Sequence, residues 1–319
     1  MPTQPRSIGV LGANSALGRL LVARLRSERA GTVVALDPAI SDAQAAKLGE
    51  LEGVKRRVVD LSTPAGSAQL TAAIDGDDID TLVYLGFLTG RRDRQERHAE
   101  EVDRVAKAVA ERPVQRLVFT SSSTIYGALP GDPTYSDEDT AFATTPRSEW
   151  VRDKVAAERR LRDLTLETDA AVGILRFAMV LGHSVPSFIT DYLARKAVPV
   201  IIDQDPSMQF VHENDVVGAL VHAVKKGPDG PFNIVGEGAI PLSVALRSGR
   251  RRAAPVPELG SYPLHQALWD ADVTQAPDVL HDLFRYVWVA DGSKAHDELG
   301  FQAQLSTKEA VEDFYRKMG

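Results

Sequence analysis

Apolar runs of strand length alternate with amphipathic helical patterns through the first half of the 319-residue chain. Ser7 to Leu11 reads as a strand, and Leu17 to Glu28 as a helix with Leu17, Leu20, Leu21 and Leu25 on one face. Further strands are expected over Thr32 to Asp37, Val54 to Leu61, Ile79 to Leu85 and Gln115 to Ser121. A long charged helix is expected over Arg94 to Glu111, another over Glu149 to Leu166, and a strand over Ala171 to Phe177. Strands that are apolar throughout and separated by helices belong to a parallel sheet covered on both faces. Right-handed crossovers make such a sheet doubly wound, with ligands at the carboxyl ends of its strands.

The fold expected is therefore α/β, a doubly wound parallel sheet of the Rossmann kind. After Phe177 the alternation weakens. Residues 182–208 and 237–286 are richer in proline, charge and irregular spacing. Between them Gln209 to Val211 reads as a short strand, Asp215 to Lys226 as a helix and Pro231 to Val235 as a strand. The organisation expected is a dinucleotide-binding domain over 1–181, with returns at 209–236 and 287–300. A small C-terminal substrate lobe is expected from 182–208, 237–286 and the C-terminal tail.

The first strand runs into Val10-Leu11-Gly12-Ala13-Asn14-Ser15-Ala16-Leu17-Gly18, and a helix follows at once. Such a turn aims backbone N–H groups and a helix N-terminus at a pyrophosphate. Gly12 permits the tight turn and Gly18 the close approach of helix to strand. Asn14, Ser15, Ala16 and Leu17 present the amides. Ser15 holds the central position where a glycine is usual, so its Cβ is expected to crowd the phosphate or strain the turn. The second strand ends on Asp37, about 20 residues beyond the turn, where a carboxylate accepts both ribose hydroxyls of NAD and repels the extra phosphate of NADP.

Composition narrows the function classes. The balance of 37 basic and 44 acidic residues, a net charge of -7, argues against a general affinity for nucleic acid. The one basic run, Arg247 to Arg252, reads as a solvated loop. There are no cysteines, which removes disulfides, thiolate metal sites and cysteine nucleophiles. The seven histidines are scattered without a ligand spacing, so no metal is expected. No secretory signal and no membrane-length apolar stretch is seen, and a cytoplasmic protein without membrane contact is the expectation. Asp75 to Asp80 is too short for a calcium loop and reads as a turn.

Beyond the turn and Asp37, the chain resembles the extended short-chain dehydrogenases/reductases of the NAD-dependent epimerase/dehydratase type. Val-Val-Asp-Leu at 58–61 resembles their adenine-contacting segment, with Asp60 and Leu61 in the contact positions. Leu-Val-Phe-Thr-Ser-Ser-Ser-Thr-Ile-Tyr-Gly at 117–127 resembles the strand that carries their catalytic Ser or Thr, here Ser122. Segments 175–182, 209–216 and 291–301 resemble later parts of the same family. The resemblance implies NAD as cofactor, with Leu85, Gly86, Thr120 and Phe177 completing its site. It also implies a small-molecule substrate, a sugar nucleotide or another polar carbonyl or hydroxyl compound. A homodimer through helices 94–111 and 149–166 is implied too.

The active-site helix departs from that pattern. The family uses Tyr-x-x-x-Lys, one helical turn apart, with the Lys on the ribose and the Tyr passing a proton. Here the segment is Trp150-Val151-Arg152-Asp153-Lys154. Lys154 matches, but Trp150 stands in the Tyr position, and an indole N–H is no practical acid near neutral pH. The family's supporting Asn is missing as well, with Ala99 near its position. Tyr84, Tyr126 and His183 are candidate replacement acids. Ser122 and Lys154 lack the Gly-x-Ser-x-Gly elbow of a hydrolase. Asn214 or Asp215 is expected to cap a helix.

Three readings stay open from the residues. One is an NAD-dependent oxidoreductase, epimerase or dehydratase that uses a non-standard proton donor. Another is a catalytically silent NAD(H)-binding sensor or scaffold. The third is a Rossmann protein that has lost the nucleotide.

Overall fold

A computed structural model describes residues 4–38, 53–86, 98–127, 135–143, 148–259, 279–318 and alternate positions between 261 and 267. The chain opens as β1 (Ser7–Leu11), α1 (Ala16–Ser27), β2 (Thr32–Asp37), β3 (Lys55–Val58), α2 (Gly66–Gly76) and β4 (Thr81–Tyr84). It continues as α3 (His98–Glu111), β5 (Arg116–Ser122), a 3-10 turn (Ser123–Tyr126), β6 (Tyr135–Ser136), α4 (Glu149–Glu167) and β7 (Ala171–Phe177). The second half holds β8 (Met179–Leu181), α5 (Phe188–Ala194), β9 (Ala197–Ile201), β10 (Ser207–Met208), β11 (Phe210–His212), α6 (Glu213–Lys226) and β12 (Gly230–Ile234). It closes with β13 (Ile240–Pro241), α7 (Leu242–Ser248), β14 (Arg252–Val256), α8 (Val279–Leu283), β15 (Val289–Ala290) and α9 (Thr307–Arg316).

Seven parallel strands form the central sheet in the order β12-β7-β5-β4-β1-β2-β3. The chain leaves β1 first toward β2 and β3, then returns to β4 on the other side. The reversal opens a crevice at the carboxyl ends of β1 and β4. Both faces are covered. Ile8, Val10, Val118 and Leu175 pack with α1 and α6, through Leu17, Leu21, Leu220 and Val224. Leu82, Leu117, Phe119 and Ile174 pack on the other face with α2, α3 and α4, through Leu70, Val105, Val109 and Leu161. A further apolar cluster joins Leu181, Tyr192, Val198, Phe210, Leu246, Phe284 and Phe314 from the second half.

Several expected elements are corrected. The strand expected over Val54 to Leu61 is only Lys55–Val58 and is exposed, because it is the sheet's edge. There Lys55 and Arg57 pair with Asp77 at 3.2 and 2.8 Å. Helix α2 was not foreseen: its Gly-Ser-Ala-Gln-Leu-Thr-Ala-Ala pattern carries few large apolar residues to mark a face. Helix α6 starts at Glu213, and its cap is neither Asn214 nor Asp215. His212 caps it, Nδ1 accepting from Asn214 N at 3.2 Å. Asp215 instead accepts from the backbone N–H groups of Gln304 and Leu305. Segment 182–208 is more regular than its composition suggests, with α5 opened by a Ser187/Thr190 capping box. The basic run 247–252 is only partly loop, since Arg252 begins β14, paired with β9. Residues 94–97 of the expected helix lie outside the described residues. Among the described residues no helix is long and apolar enough to cross a membrane. Nor do three His, Asp or Glu side chains among them converge as a metal site.

Candidate cofactor and active site

The turn after β1 is built around Gly12, which takes φ +85°, a left-handed conformation that favours glycine. Its N–H donates to Leu36 O at 3.0 Å, tying the turn to β2. Gly18 sits so close to this turn that a Cβ there would lie 2.2 Å from Gly12 O and 2.7 Å from the Ala13 backbone. Ser15 behaves otherwise than expected. Its φ is -64°, so no left-handed strain arises, and its hydroxyl accepts from Gly18 N at 2.9 Å as the N-cap of α1. A serine fits here because capping needs a side-chain oxygen and a β-region backbone.

Asn14 N donates to both carboxylate oxygens of Asp37, at 3.0 and 3.1 Å, linking the turn to the end of β2. Asn14 Oδ1 is buried and has no hydrogen-bond partner among the described residues. The first turn of α1 contains no acidic residue, and Arg19 there donates to Asn14 O at 2.5 Å. A positive helix end and a guanidinium at a glycine turn suit an anionic ligand. On these observations a dinucleotide diphosphate fits.

The remaining expected cofactor positions converge on the same rim. Val59 N donates to Asp37 O at 2.9 Å, which sets Asp60 and Leu61 just beyond the end of β2. One Asp60 oxygen accepts from Ser62 N and Oγ, at 3.0 and 2.6 Å. Leu85 and Gly86 follow β4, and Leu85 N donates to Leu11 O at 3.0 Å. Thr120 is fully buried and donates to Tyr84 O at 3.3 Å. Phe177, also buried, is in register with Ser122 at the ends of β7 and β5.

Helix α4 brings Trp150 and Lys154 together. Lys154 is buried, and its Nζ lies 4.5 Å from the centroid of the Trp150 ring. Burial holds the Lys154 amine well below lysine's usual range, against the opposing pull of Asp153 and Glu101. The indole face also attracts the ammonium form, by about 0.5–2 kcal/mol. Trp150 meets Phe188 of α5 edge-on at 6.2 Å and shares an apolar cluster with Ile125 and Tyr126. The Trp position therefore faces the turn that follows Ser122.

Ser122 Oγ accepts from Thr124 N at 3.2 Å and caps that turn. Beside it Ser121 hydrogen-bonds Glu158, whose carboxylate pairs with Arg176 Nη2 at 2.8 Å, both side chains fully buried. The candidate replacement acids are engaged elsewhere. Tyr126 donates to Asn233 Oδ1 at 2.7 Å and accepts from Arg176 at 2.8 Å. Burial pushes its pKa up to about 12 despite Arg176. Tyr84 donates to Glu101 at 2.9 Å, and His183 stacks on Phe314 in the second-half cluster.

Sequence reasoning passed over one residue. His98, the first residue of α3, is buried and lies nearly parallel to the Tyr84 ring at 6.1 Å, with Phe119 at 5.9 Å. Burial, with Lys154 adding to it, holds its pKa well below the usual 6.5. The position considered for the family's Asn was Ala99, one residue along; a buried polar residue opening the helix was the available signal.

Relatives agree with this architecture. An uncharacterised protein of Mycobacterium tuberculosis is 30% identical over 328 residues, spanning 100% of this chain and 85% of that protein. The structure of a Bacillus anthracis dTDP-glucose 4,6-dehydratase in complex with NAD superposes with a TM-score of 0.75 at 15% identity, over 98% of this chain and 96% of that one. A Stenotrophomonas maltophila UDP-glucose 4-epimerase with bound NAD gives 0.74 at 19% identity, over 98% of each chain. At such identities the two structures speak for the fold. The model of the NAD dependent epimerase/dehydratase family matches residues 8–235. Glycine turn, acidic strand end and buried Lys154 thus sit on the family's own framework, and the chain belongs to the NAD-dependent epimerase/dehydratase family.

Proposed function

We propose that this chain is an NAD(H)-dependent oxidoreductase or isomerase acting on a sugar nucleotide or a related polar carbonyl or hydroxyl compound, with proton transfer handled without the usual tyrosine. The observation that carries the reading is Lys154, a buried amine one helical turn from Trp150, on the helix that packs over the turn after Ser122. The amides of Ala16 and Leu17 at the start of α1 hold the diphosphate, while those of Asn14 and Ser15 brace the turn against Asp37 and Gly12 O. Asp37 takes the adenosine ribose, Asp60 and Leu61 flank the adenine, and Lys154 holds the nicotinamide ribose. Leu85, Gly86, Thr120 and Phe177 line the remainder. NAD, when bound, supplies a hydride acceptor or donor.

Lys154 is the non-standard acid, its hold on the proton loosened by burial. Trp150 orients it through the ring face, and Ser122 relays the proton to the substrate oxygen. The Ser122 hydroxyl suits this role because it donates to no acceptor among the described residues. A homodimer through the outward faces of α3 and α4, read out by light scattering, belongs to the same proposal.

The test mixes the protein with NAD and a panel of UDP- and dTDP-hexoses and follows nicotinamide absorbance and product sugar. Wild type is expected to turn over at least one member. Lys154→Met is expected to abolish turnover and weaken NAD at least tenfold. A second reading, a catalytically silent NAD(H)-binding sensor or scaffold, is favoured by Trp150 itself. It wins if wild type is inert on the panel while Trp150→Tyr is active.

A further inference from the structure

The basic run at 247–252 has no part in the cofactor or active site, and the fold adds further cations to it. β14 begins at Arg252, which is in register with Ala197 of β9 and donates from its N–H to Lys196 O at 3.0 Å. The amino ends of the two strands therefore bring Arg195 and Lys196, which follow α5, beside Arg247, Arg250, Arg251 and Arg252 at the end of α7 and beyond it. Five of these six are exposed, and Arg251 is half-buried. None of the six pairs with a carboxylate among the described residues, whereas Arg316 and Lys317 at the end of α9 both pair with Asp313 at 2.8 Å.

Cations after a helix ordinarily answer the helix dipole. Each carboxyl end carries about half a negative charge, so α5 and α7 together call for about one cation, and six are present. The backbone of the loop is also shaped around its arginines. Arg250 takes φ +52°, the left-handed conformation in which a residue just past a helix end is usually glycine. Glycine stands one position earlier, at Gly249, where a Cβ would lie 2.3 Å from the Tyr315 ring. That close approach lays Arg251 on the same ring, its Cζ 5.2 Å from the centroid, and holds the guanidinium against an aromatic face.

Five of the six cations are arginines, whose planar fork matches a carboxylate through two parallel hydrogen bonds. The remainder of the chain favours a narrow partner. With a net charge of -7, taking away these six cations leaves -13 on the rest. Asp191 of α5 is exposed four residues before Arg195. A bilayer or a nucleic-acid duplex covering the cluster would also face that acidic surface, whereas an extended peptide can lie on the cluster alone.

We propose that the amino ends of β9 and β14 form a docking surface for an extended Asp/Glu-rich segment of a partner protein. The surface is separate from the cofactor chemistry. Phe188 at the start of α5 meets Trp150, while Arg195 lies past the other end of that helix, about 10 Å along its axis.

The experiment titrates the protein into labelled deca-glutamate at about 0.15 M salt and follows fluorescence anisotropy. Deca-glutamine, vesicles of phosphatidylcholine and phosphatidylserine, and a DNA duplex are titrated alongside. Wild type is expected to bind deca-glutamate and none of the other three. The triple variant Arg247→Ser/Arg250→Ser/Arg252→Ser should weaken that binding at least about tenfold, with thermal midpoint and NAD affinity unchanged. A control of equal charge, Arg29→Ser/Arg56→Ser/Lys226→Ser, should bind as wild type does. If the triple variant melts early, Arg250→Gly replaces it: this change relieves the left-handed backbone, so the midpoint should rise while affinity falls about threefold, the loss of one surface ion pair. No binding of deca-glutamate by wild type overturns the inference, as does undiminished binding in the patch variants or an equal loss in the control. Tighter binding of vesicles or duplex than of deca-glutamate overturns it too, and all of these outcomes leave the proposed function standing.

Discussion

Gly18→Ala tests the nucleotide turn by a single methyl group. A Cβ at this position would stand 2.2 Å from Gly12 O and 2.7 Å from the Ala13 backbone, where ordinary contact begins at 3.4 Å. The difference, 3.4 minus 2.2, requires α1 to retreat from the turn by about 1.2 Å. Both neighbours, Gly12 and Ala13, meet it with main-chain atoms, so no flexible side chain can absorb the shift. Amide–phosphate hydrogen bonds span a window of only about 0.5 Å. A displacement twice that size breaks those made by the first turn of α1. Two charge-assisted bonds at about 1.5–3 kcal/mol each total about 3–6 kcal/mol. That corresponds to a Kd for NAD weakened about 10²- to 10⁴-fold.

The assay pairs calorimetry with thermal unfolding. At a concentration a hundred times the wild-type Kd, NAD stabilises wild type by about 2.7 kcal/mol. A variant weakened a hundredfold retains about 0.4 kcal/mol at the same concentration, so its midpoint barely moves. Circular dichroism should show an unchanged helix content, since α1 keeps its Ser15 cap and its apolar face. Binding of NAD by Gly18→Ala within threefold of wild type would refute the geometry assigned to the turn.

Further outcomes follow from other parts of the site. Glu158→Gln leaves Arg176 buried beside a neutral partner, and should cost about 3–5 kcal/mol in urea unfolding. A loss under about 1 kcal/mol would show that the Ser121–Glu158–Arg176 network is dispensable. His98 contributes to pH dependence with a definite sign. Its folded pKa lies below the unfolded value of 6.5, so the unfolded chain binds the proton first. The stability His98 permits is present above pH 6.5 and is lost progressively as pH falls below it. His98→Asn should flatten that part of the acid limb relative to wild type, and identical limbs in the two proteins would contradict the assignment.

The parts of this chain readable from sequence are those whose physics is local. Gly12, Gly18 and Asp37 are set by turn and strand-end geometry within one β-α-β unit, and the strand from Ala171 to Phe177 is a plain apolar run. What escaped depends on contacts between distant segments. β3 is exposed because it is the edge strand among the described residues, a fact of sheet order and not of its four residues. His212 caps α6 because β11 delivers it there, next to Asp313 at 3.2 Å, a residue a hundred positions away. Ser15 illustrates the opposite error. Judged against a glycine motif it looks strained, yet its φ of -64° makes it an ordinary cap.

Trp150 shows why the same distinction governs function. Its absence of acidity is a property of one side chain and is legible at once. The physical role of the substitution is not, because it depends on what the indole meets: the Lys154 Nζ at 4.5 Å on its own helix and Phe188 at 6.2 Å on another. A tyrosine at this position would offer a hydroxyl but a smaller face. The tryptophan gives up that proton donor and strengthens both ring contacts, drawing the Lys154 side chain and α5 onto one surface. If the protein is an enzyme, acidity has moved from position 150 to position 154, and Trp150→Phe should then reduce turnover only modestly while Lys154→Met abolishes it. Equal and complete loss in both variants would mean that the indole contributes something the ring face does not explain, and the lysine-centred account would fail.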